Sequence, residues 1–323
     1  MTGGAFPDQE GRPHDRPIAA SDFTGELARL RGDGWRVDEI YPADDPRTAL
    51  LSRDADGLRL SSHSNPDEPD GRLPPFKPQF ILTPAAEDGG EGRAGMRYRD
   101  LIPGRLGGRY VASHIRIVEG GPVDDWVHYH GVAFQMIYVR SGWVRVVYED
   151  QGGPFVMQAG GLVLQPPYIR HRVLESSAGL EVIEIGCPAI HKTFGDHEMQ
   201  LPNGLAPAKT FSGQHFLHDA VGGEGSGMMA ATGGLADVRT ISAAGRGPIR
   251  FERHDGELVF GFVLAGDAQL DFADCPALGP GDAFVIPPGE KWNLTGASPD
   301  FRLLHVTTAR MPAHIPDAPA KSA

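Results

Sequence analysis

Two stretches decide the fold: His128-Tyr129-His130-Gly131-Val132-Ala133-Phe134-Gln135-Met136-Ile137-Tyr138-Val139-Arg140-Ser141-Gly142 and, farther along, Gly160-Gly161-Leu162-Val163-Leu164-Gln165-Pro166-Pro167-Tyr168-Ile169-Arg170-His171. Each sets short β-branched or aromatic runs between Gly and Pro, the pattern of short strands joined by turns. In a strand, side chains at i and i+2 share a face, so His128 and His130 point to one side. Gln135 lies across a turn on the neighbouring strand. His171 opens another strand behind a rigid Pro-Pro turn. The four can meet in one nitrogen-and-oxygen site for Fe, Mn, Ni, Cu or Zn, with coordination positions left open.

Working outward, similar runs recur at 109–118, 134–139, 143–148, 162–165, 171–174 and 180–185, and again at 236–241, 258–264, 268–272, 283–286 and 301–307. Short strands at this spacing predict an antiparallel sandwich or barrel. The body reads as duplicated. Gly160, six residues before Pro166-Pro167, is matched by Gly281, six before Pro287-Pro288, and Gly142 is matched by Gly266.

Gly121, His128-x-His130-x4-Gln135-x6-Gly142 and Gly160-x5-Pro166-x4-His171 closely resemble the two signature motifs of the cupin superfamily, over roughly residues 96–310. The resemblance implies an all-β fold: two double-stranded β-helix (cupin) barrels in tandem, a bicupin, with a small N-terminal α/β extension. It also implies that His128, His130, Gln135 and His171 bind one divalent metal ion, Fe(II) first, with Mn, Ni, Cu or Zn as alternatives. Two departures stand out. Gln135 occupies the place where most members carry Glu, and a neutral amide leaves the site more positive and cannot act as a base. Tyr168 occupies a position usually held by Gly, which predicts a narrower pocket mouth.

The same spacing laid on the second copy gives Glu252-Arg253-His254, then Val259 for Gln135 and Trp292 for His171. Valine and indole coordinate no metal, so the second barrel is expected to be degenerate, with Trp292 filling its interior. The expected boundaries are 1–95 for the extension and linker, 96–200 for the first barrel, 201–311 for the second and 312–323 for a loose tail. Ser21 can cap a helix over 22–31, and 35–40 and 57–60 read as strands. The stretches 64–71, 86–95 and the Gly-rich 221–227 read as loops. For 221–227 no Lys-Ser/Thr follows, which argues against a phosphate cradle.

Around the metal motif, Trp126, Tyr129 and Tyr168 are candidates for an aromatic mouth, with Tyr129 and Tyr168 also the candidate catalytic groups. Tyr110, His114 and Arg116 share one face of a strand. They either line the first pocket, with Tyr110 and Arg116 as substrate contacts, or face solvent. His191 and His197 are expected on the surface of a connecting segment.

Charge bounds the partners. With 30 Lys and Arg against 42 Asp and Glu, the net charge is −12, and no basic run tracks a phosphate backbone, so neither nucleic acid nor an anionic membrane is an expected partner. The start, 1–17, lacks a hydrophobic signal core and no stretch is long and apolar enough to span a bilayer, which predicts a cytoplasmic protein. Cys187 and Cys275 are far apart and suggest no disulfide framework. Closed homo-oligomers are an expectation from the family alone.

The function that follows from the resemblance is a metal-dependent oxygenase cleaving a small chelating, enolic or aromatic substrate, like the quercetin and aromatic-acid dioxygenases. The alternative is a non-oxidative isomerase, lyase or decarboxylase acting on a small acid or sugar derivative. That reading needs a base, which the motif does not supply. A small-molecule-binding regulatory barrel is the third.

Overall fold

The structure is a computed structural model, which describes residues 14–62, 67–85, 90–91, 96–219, 226–243, 247–318. Most of the 86–95 and 221–227 loops, part of the 64–71 linker and both chain ends therefore lie outside the described residues. The two cysteines are free and buried. Among the described residues no helix is long and apolar enough to cross a membrane.

The body is all-β and built twice. In the first copy, strand Val111–Ile117 pairs with Leu180–Cys187, which pairs with Phe134–Ser141, which pairs with Leu162–Leu164, all antiparallel. Opposite this sheet, His128–His130, His171–Ser176, Trp143–Tyr148 and Phe155–Gln158 form the second wall in that order. The second copy repeats the scheme, with Ala236–Ser242, Arg302–Thr308, Val259–Ala265 and Ala283–Val285 in one sheet and Ile249–Phe251, Trp292–Thr295, Ala268–Asp271 and Ala277–Leu278 in the other. Each copy is a double-stranded β-helix.

The repeated glycines have a physical cause. Gly142 and Gly266 both take positive φ, at 76° and 65°. A Cβ on either would lie 2.4 or 2.3 Å from the hydroxyl of Ser177 or Ser298, which closes the hairpin by accepting the next backbone N–H. Only glycine permits both the backbone conformation and that approach.

Alternation along the central strands sorts their side chains. Gln135, Ile137 and Val139 face the interior of the first barrel with Val163, Val182 and Tyr148. Phe134, Met136 and Tyr138 face the other way and pack, with Ile183 and Ile185, against Phe260, Phe262, Leu304 and Val306 of the second barrel. The barrels thus lie back to back through the sheets that contain Phe134–Ser141 and Val259–Ala265. A buried ion pair crosses that seam. Arg109 donates to both oxygens of Glu257 at 2.8 Å, and Tyr110 adds bonds to Glu257 at 3.2 Å and Thr308 at 2.8 Å.

The expected domain boundaries do not coincide with the pairing. Ile81–Thr83, which precedes the first barrel in sequence, pairs with Ala283–Val285 of the second. Leu217–Asp219, expected to belong to the second barrel, pairs with Leu162–Leu164 of the first. The N-terminal α/β unit is also no separate preface. Its helix Phe23–Gly32 packs on strands Arg36–Tyr41, Thr48–Arg53 and Asp56–Ser62. Arg36–Tyr41 then pairs with Thr193–Gly195, itself paired with His128–His130, so the sheet runs unbroken into the first barrel. The Ser21 hydroxyl bonds to Asp22 rather than capping the helix.

Candidate metal centre

The sheet pairing brings the histidines together. His128 lies directly opposite His171 in the antiparallel ladder, and His130 is two residues on, on the same face. One nitrogen from each of the three can be drawn so that all lie within 4.8 Å of one another, and all three residues are buried. Their ring centroids are 4.3 to 5.2 Å apart.

The outer nitrogens are held. His128 Nδ1–H donates to the Trp126 carbonyl at 2.8 Å and His171 Nδ1–H to the Ile169 carbonyl at 3.1 Å, while His130 Nδ1 bonds the Thr193 hydroxyl at 2.9 Å. A carbonyl only accepts, so for His128 and His171 the proton is on Nδ1 and Nε2 is the unprotonated nitrogen, the kind of atom that ligates a metal. This is the support usual around metal-binding histidines. Asp125 strengthens it, with one oxygen 3.5 Å from His128 Nδ1 and the other accepting the Val173 N–H at 3.0 Å. The His171 ring stacks on Tyr148 at 5.3 Å.

Gln135 is buried on the inner face of its strand. Its amide nitrogen donates to Glu184 Oε1 at 2.6 Å, and its Oε1, also buried, has no hydrogen-bond partner. That bond fixes which end of the amide is which, and an orphaned buried oxygen on the inner face of the barrel is what a bound cation would satisfy. The residues present therefore fit a metal held by His128, His130, His171 and Gln135.

Sequence reasoning missed the groups around these four. Glu184 stands on the inner face of Leu180–Cys187, opposite Ile137. The signal was there: an acidic residue inside the apolar run Val182-Ile183-Glu184-Ile185. Gln165, paired to Gln135 through the backbone at 2.9 Å, donates its amide to Tyr148 Oη at 2.8 Å and leaves its own Oε1 unpartnered. Burial pushes the Tyr148 phenol up, Gln165 works against that, and the Glu184 charge pushes it further up. His191, expected at the surface, is 2% exposed and packs edge-on against His130 at 5.4 Å. Its Nδ1–H donates to the Pro188 carbonyl at 3.0 Å, while its Nε2 is buried without a partner. Burial lowers its pKa.

The aromatic candidates lie elsewhere. Tyr129 alternates with His128 and His130 and so projects from the opposite face, stacked on Phe194 at 5.2 Å with the Arg170 guanidinium 4.7 Å from its ring. Tyr168 adopts positive φ, 62°, where glycine is usual; its hydroxyl donates to the Pro316 carbonyl at 2.8 Å, on the outside of the barrel. Trp126 packs against the N-terminal unit under Arg31, 4.6 Å from the ring centroid. Tyr110 faces the second barrel, as does His114, which bonds Glu181 at 2.9 Å. Arg116, on that same face, approaches Glu181 at 3.7 Å. The inward residues of that strand are the odd-numbered ones, Ser113 and Ile115, so Tyr110 and Arg116 do not line the first pocket. His197 meets Asp38 at 3.1 Å, away from the three histidines.

In the second barrel Trp292 and Val259 stand at the expected positions, but Phe251, not Glu252, holds the place of His128. The partner of Trp292 is Phe251, which takes the place that His128 holds opposite His171, and the strand ends there, so Glu252 and His254 lie beyond it. Glu252 is exposed and pairs with Lys291, and His254 bonds the Thr308 carbonyl. Trp292 and Phe251 stack at 3.6 Å and, with Phe284 across Gly261, fill the interior.

No protein-family model matches the chain, and no curated protein does. Among solved structures, oxalate decarboxylase from Bacillus subtilis at pH 4.6 is similar over 76% of this chain and 80% of its own, at 13% identity and a TM-score of 0.44. Structures of oxalate decarboxylase addressing its substrate-binding mode and its Mn(II) centres match with the same identity and TM-score over 75% of this chain and 80% of theirs.

Proposed function

We propose that the first barrel is the active site of a metal-dependent enzyme carrying out non-oxidative chemistry, of the isomerase, lyase or decarboxylase type, on a small acid or sugar derivative. The observation that carries this reading is Glu184. The motif offers no base, and Lewis-acid chemistry at carbon needs one; a carboxylate 2.6 Å from the Gln135 amide, inside the barrel, supplies it.

Bound by His128, His130, His171 and Gln135 Oε1, a divalent ion supplies Lewis-acid polarisation of a substrate oxygen. The chain does the rest. Trp126, Ile169 and Thr193 keep the three imidazoles in orientation. Gln135 holds Glu184 by its N–H, and Glu184 receives and returns the proton. Ile137, opposite Glu184, and Val139 and Val182 give that carboxylate an aliphatic, partly buried surround.

A dioxygenase acting on a chelating substrate is the second reading. It is favoured by the neutral donor set, three imidazoles and an amide, which leaves the substrate to provide negative charge. The two are separated by elemental analysis of untagged protein followed by turnover with and without O₂. The proposal expects turnover undiminished without oxygen, metal lost in His171→Ala, and metal retained but turnover down by about 100-fold or more in Glu184→Gln. Oxygen consumed in step with substrate moves the assignment to the dioxygenase.

A further inference from the structure

A cavity of about 630 Å³ lies outside the barrel end, between the 67–74 segment and the 188–194 stretch, with Glu68, Lys192, Tyr168 and Ile315 among its walls. Residues 71–73 and 313–315 pair with each other across it. The same cavity reaches His191, which is also the neighbour of His130. A Cβ at Gly186, the residue opposite Gln135, would lie 4.0 Å from the His191 ring, which places His191 at the end of the barrel's inner face.

Two facts define what His191 can do there. The Pro188 carbonyl can only accept, so Nδ1 carries the proton and Nε2 presents a lone pair. That lone pair is buried and unpartnered. A buried acceptor without a donor is costly, and the unpartnered Oε1 of Gln165 is an acceptor as well. Whatever occupies the site must therefore bring donors.

We propose that His191 is a substrate-binding residue that accepts, at Nε2, a hydrogen bond from the hydroxyl of a ligand chelated at the three-histidine centre, so that the substrate class is a hydroxyl-bearing chelate such as a 2-hydroxy acid. This inference rests on the metal reading of His128, His130 and His171.

The test uses full-length protein loaded with cobalt(II), with metal stoichiometry and the visible spectrum as readouts. Glycolate, which carries the hydroxyl, is titrated against methoxyacetate, which has a methyl in its place. Wild-type protein is expected to bind glycolate about 10- to 100-fold more tightly. His191→Leu, with cobalt still at one equivalent, is expected to bring the two within about twofold, and His191→Gln, which keeps an acceptor, to restore part of the difference. An unchanged preference in His191→Leu overturns the proposal. Loss of cobalt from that variant alone also overturns it, because His191 is then a metal ligand. Wild-type protein that takes up no cobalt refutes the metal reading itself, and this inference with it.

Discussion

Replacing Gln135 by Glu puts the structure's central contact under direct test. In the native protein the amide donates to Glu184 at 2.6 Å. In the variant two carboxylates would stand at that separation. With an effective dielectric constant near 20, Coulomb repulsion at that distance is about 6 kcal/mol, enough to keep one proton on the pair at neutral pH. In the metal-free variant the folded pair therefore binds more protons than the unfolded chain, in which both groups titrate near about 4.3. Stability must fall as pH rises, by about 1.4 kcal/mol per pH unit, from about pH 4 up to the raised folded pKa. A raised pKa of two to three units costs about 3 kcal/mol by pH 8, or roughly 5–10 °C of Tm. A divalent cation bound beside the pair offsets the repulsion, so metal should raise the Tm of Gln135→Glu at pH 8 by more than it raises that of the native protein. The assay is thermal unfolding of metal-free and metal-loaded protein between pH 5 and 8. A metal-free variant that follows the native pH profile would show that residue 135 does not face Glu184, and the site as described would be wrong.

Other consequences are open to direct measurement. Thr193→Val removes the bond to His130 Nδ1 and should weaken metal binding by about 10- to 100-fold in a chelator competition while leaving the unloaded Tm nearly unchanged. Glu257→Ala strands Arg109 inside the seam between the barrels and should cost about 3–5 kcal/mol in urea unfolding; a second change, Arg109→Met, should recover much of it. Trp292→Ala should cost about 3–5 kcal/mol through the cavity it opens, with the metal content of the first barrel unaffected. Burial pushes the His305 imidazole down to about 4. Its contribution is therefore complete above the usual histidine range and lost as pH falls from about 6.5 towards 4, so His305→Leu should flatten the acid limb of the stability profile.

The three histidines could be read from the sequence because their geometry is local. An i, i+2 pair fixes its own face, and the Gly and Pro positions fix the turns that bring His171 opposite. The phase of the central strands could not be read. Phe134, Met136 and Tyr138 are as apolar as Ile137 and Val139 because both faces of that sheet are buried, one in the barrel and one in the seam. The same ambiguity leaves Tyr110 and Arg116 with two possible faces, and in the second copy, which has no histidine pair to set its phase, residues 252–254 lie one place past the strand that Phe251 ends. Tyr129 was the avoidable error, since alternation alone turns it away from its neighbours. His191 had no sequence signal: its burial comes from Thr193–Gly195 joining His128–His130, a long-range pairing that the intervening composition does not announce.

The crossed edge strands give the chain an order of events. Equivalent edges, Leu162–Leu164 and Ala283–Val285, are each covered by a segment from outside the barrel's own run of sequence. During synthesis, residues 81–83 emerge long before the strand they will cover exists, and the first barrel waits for residue 219 before its last edge is closed. A fragment cut at residue 200 would leave the backbone of 162–164 open to pair with another copy of itself, the usual beginning of aggregation. The halves look like a tandem repeat in sequence, yet neither can be made, inherited or moved into another protein without a piece of the other.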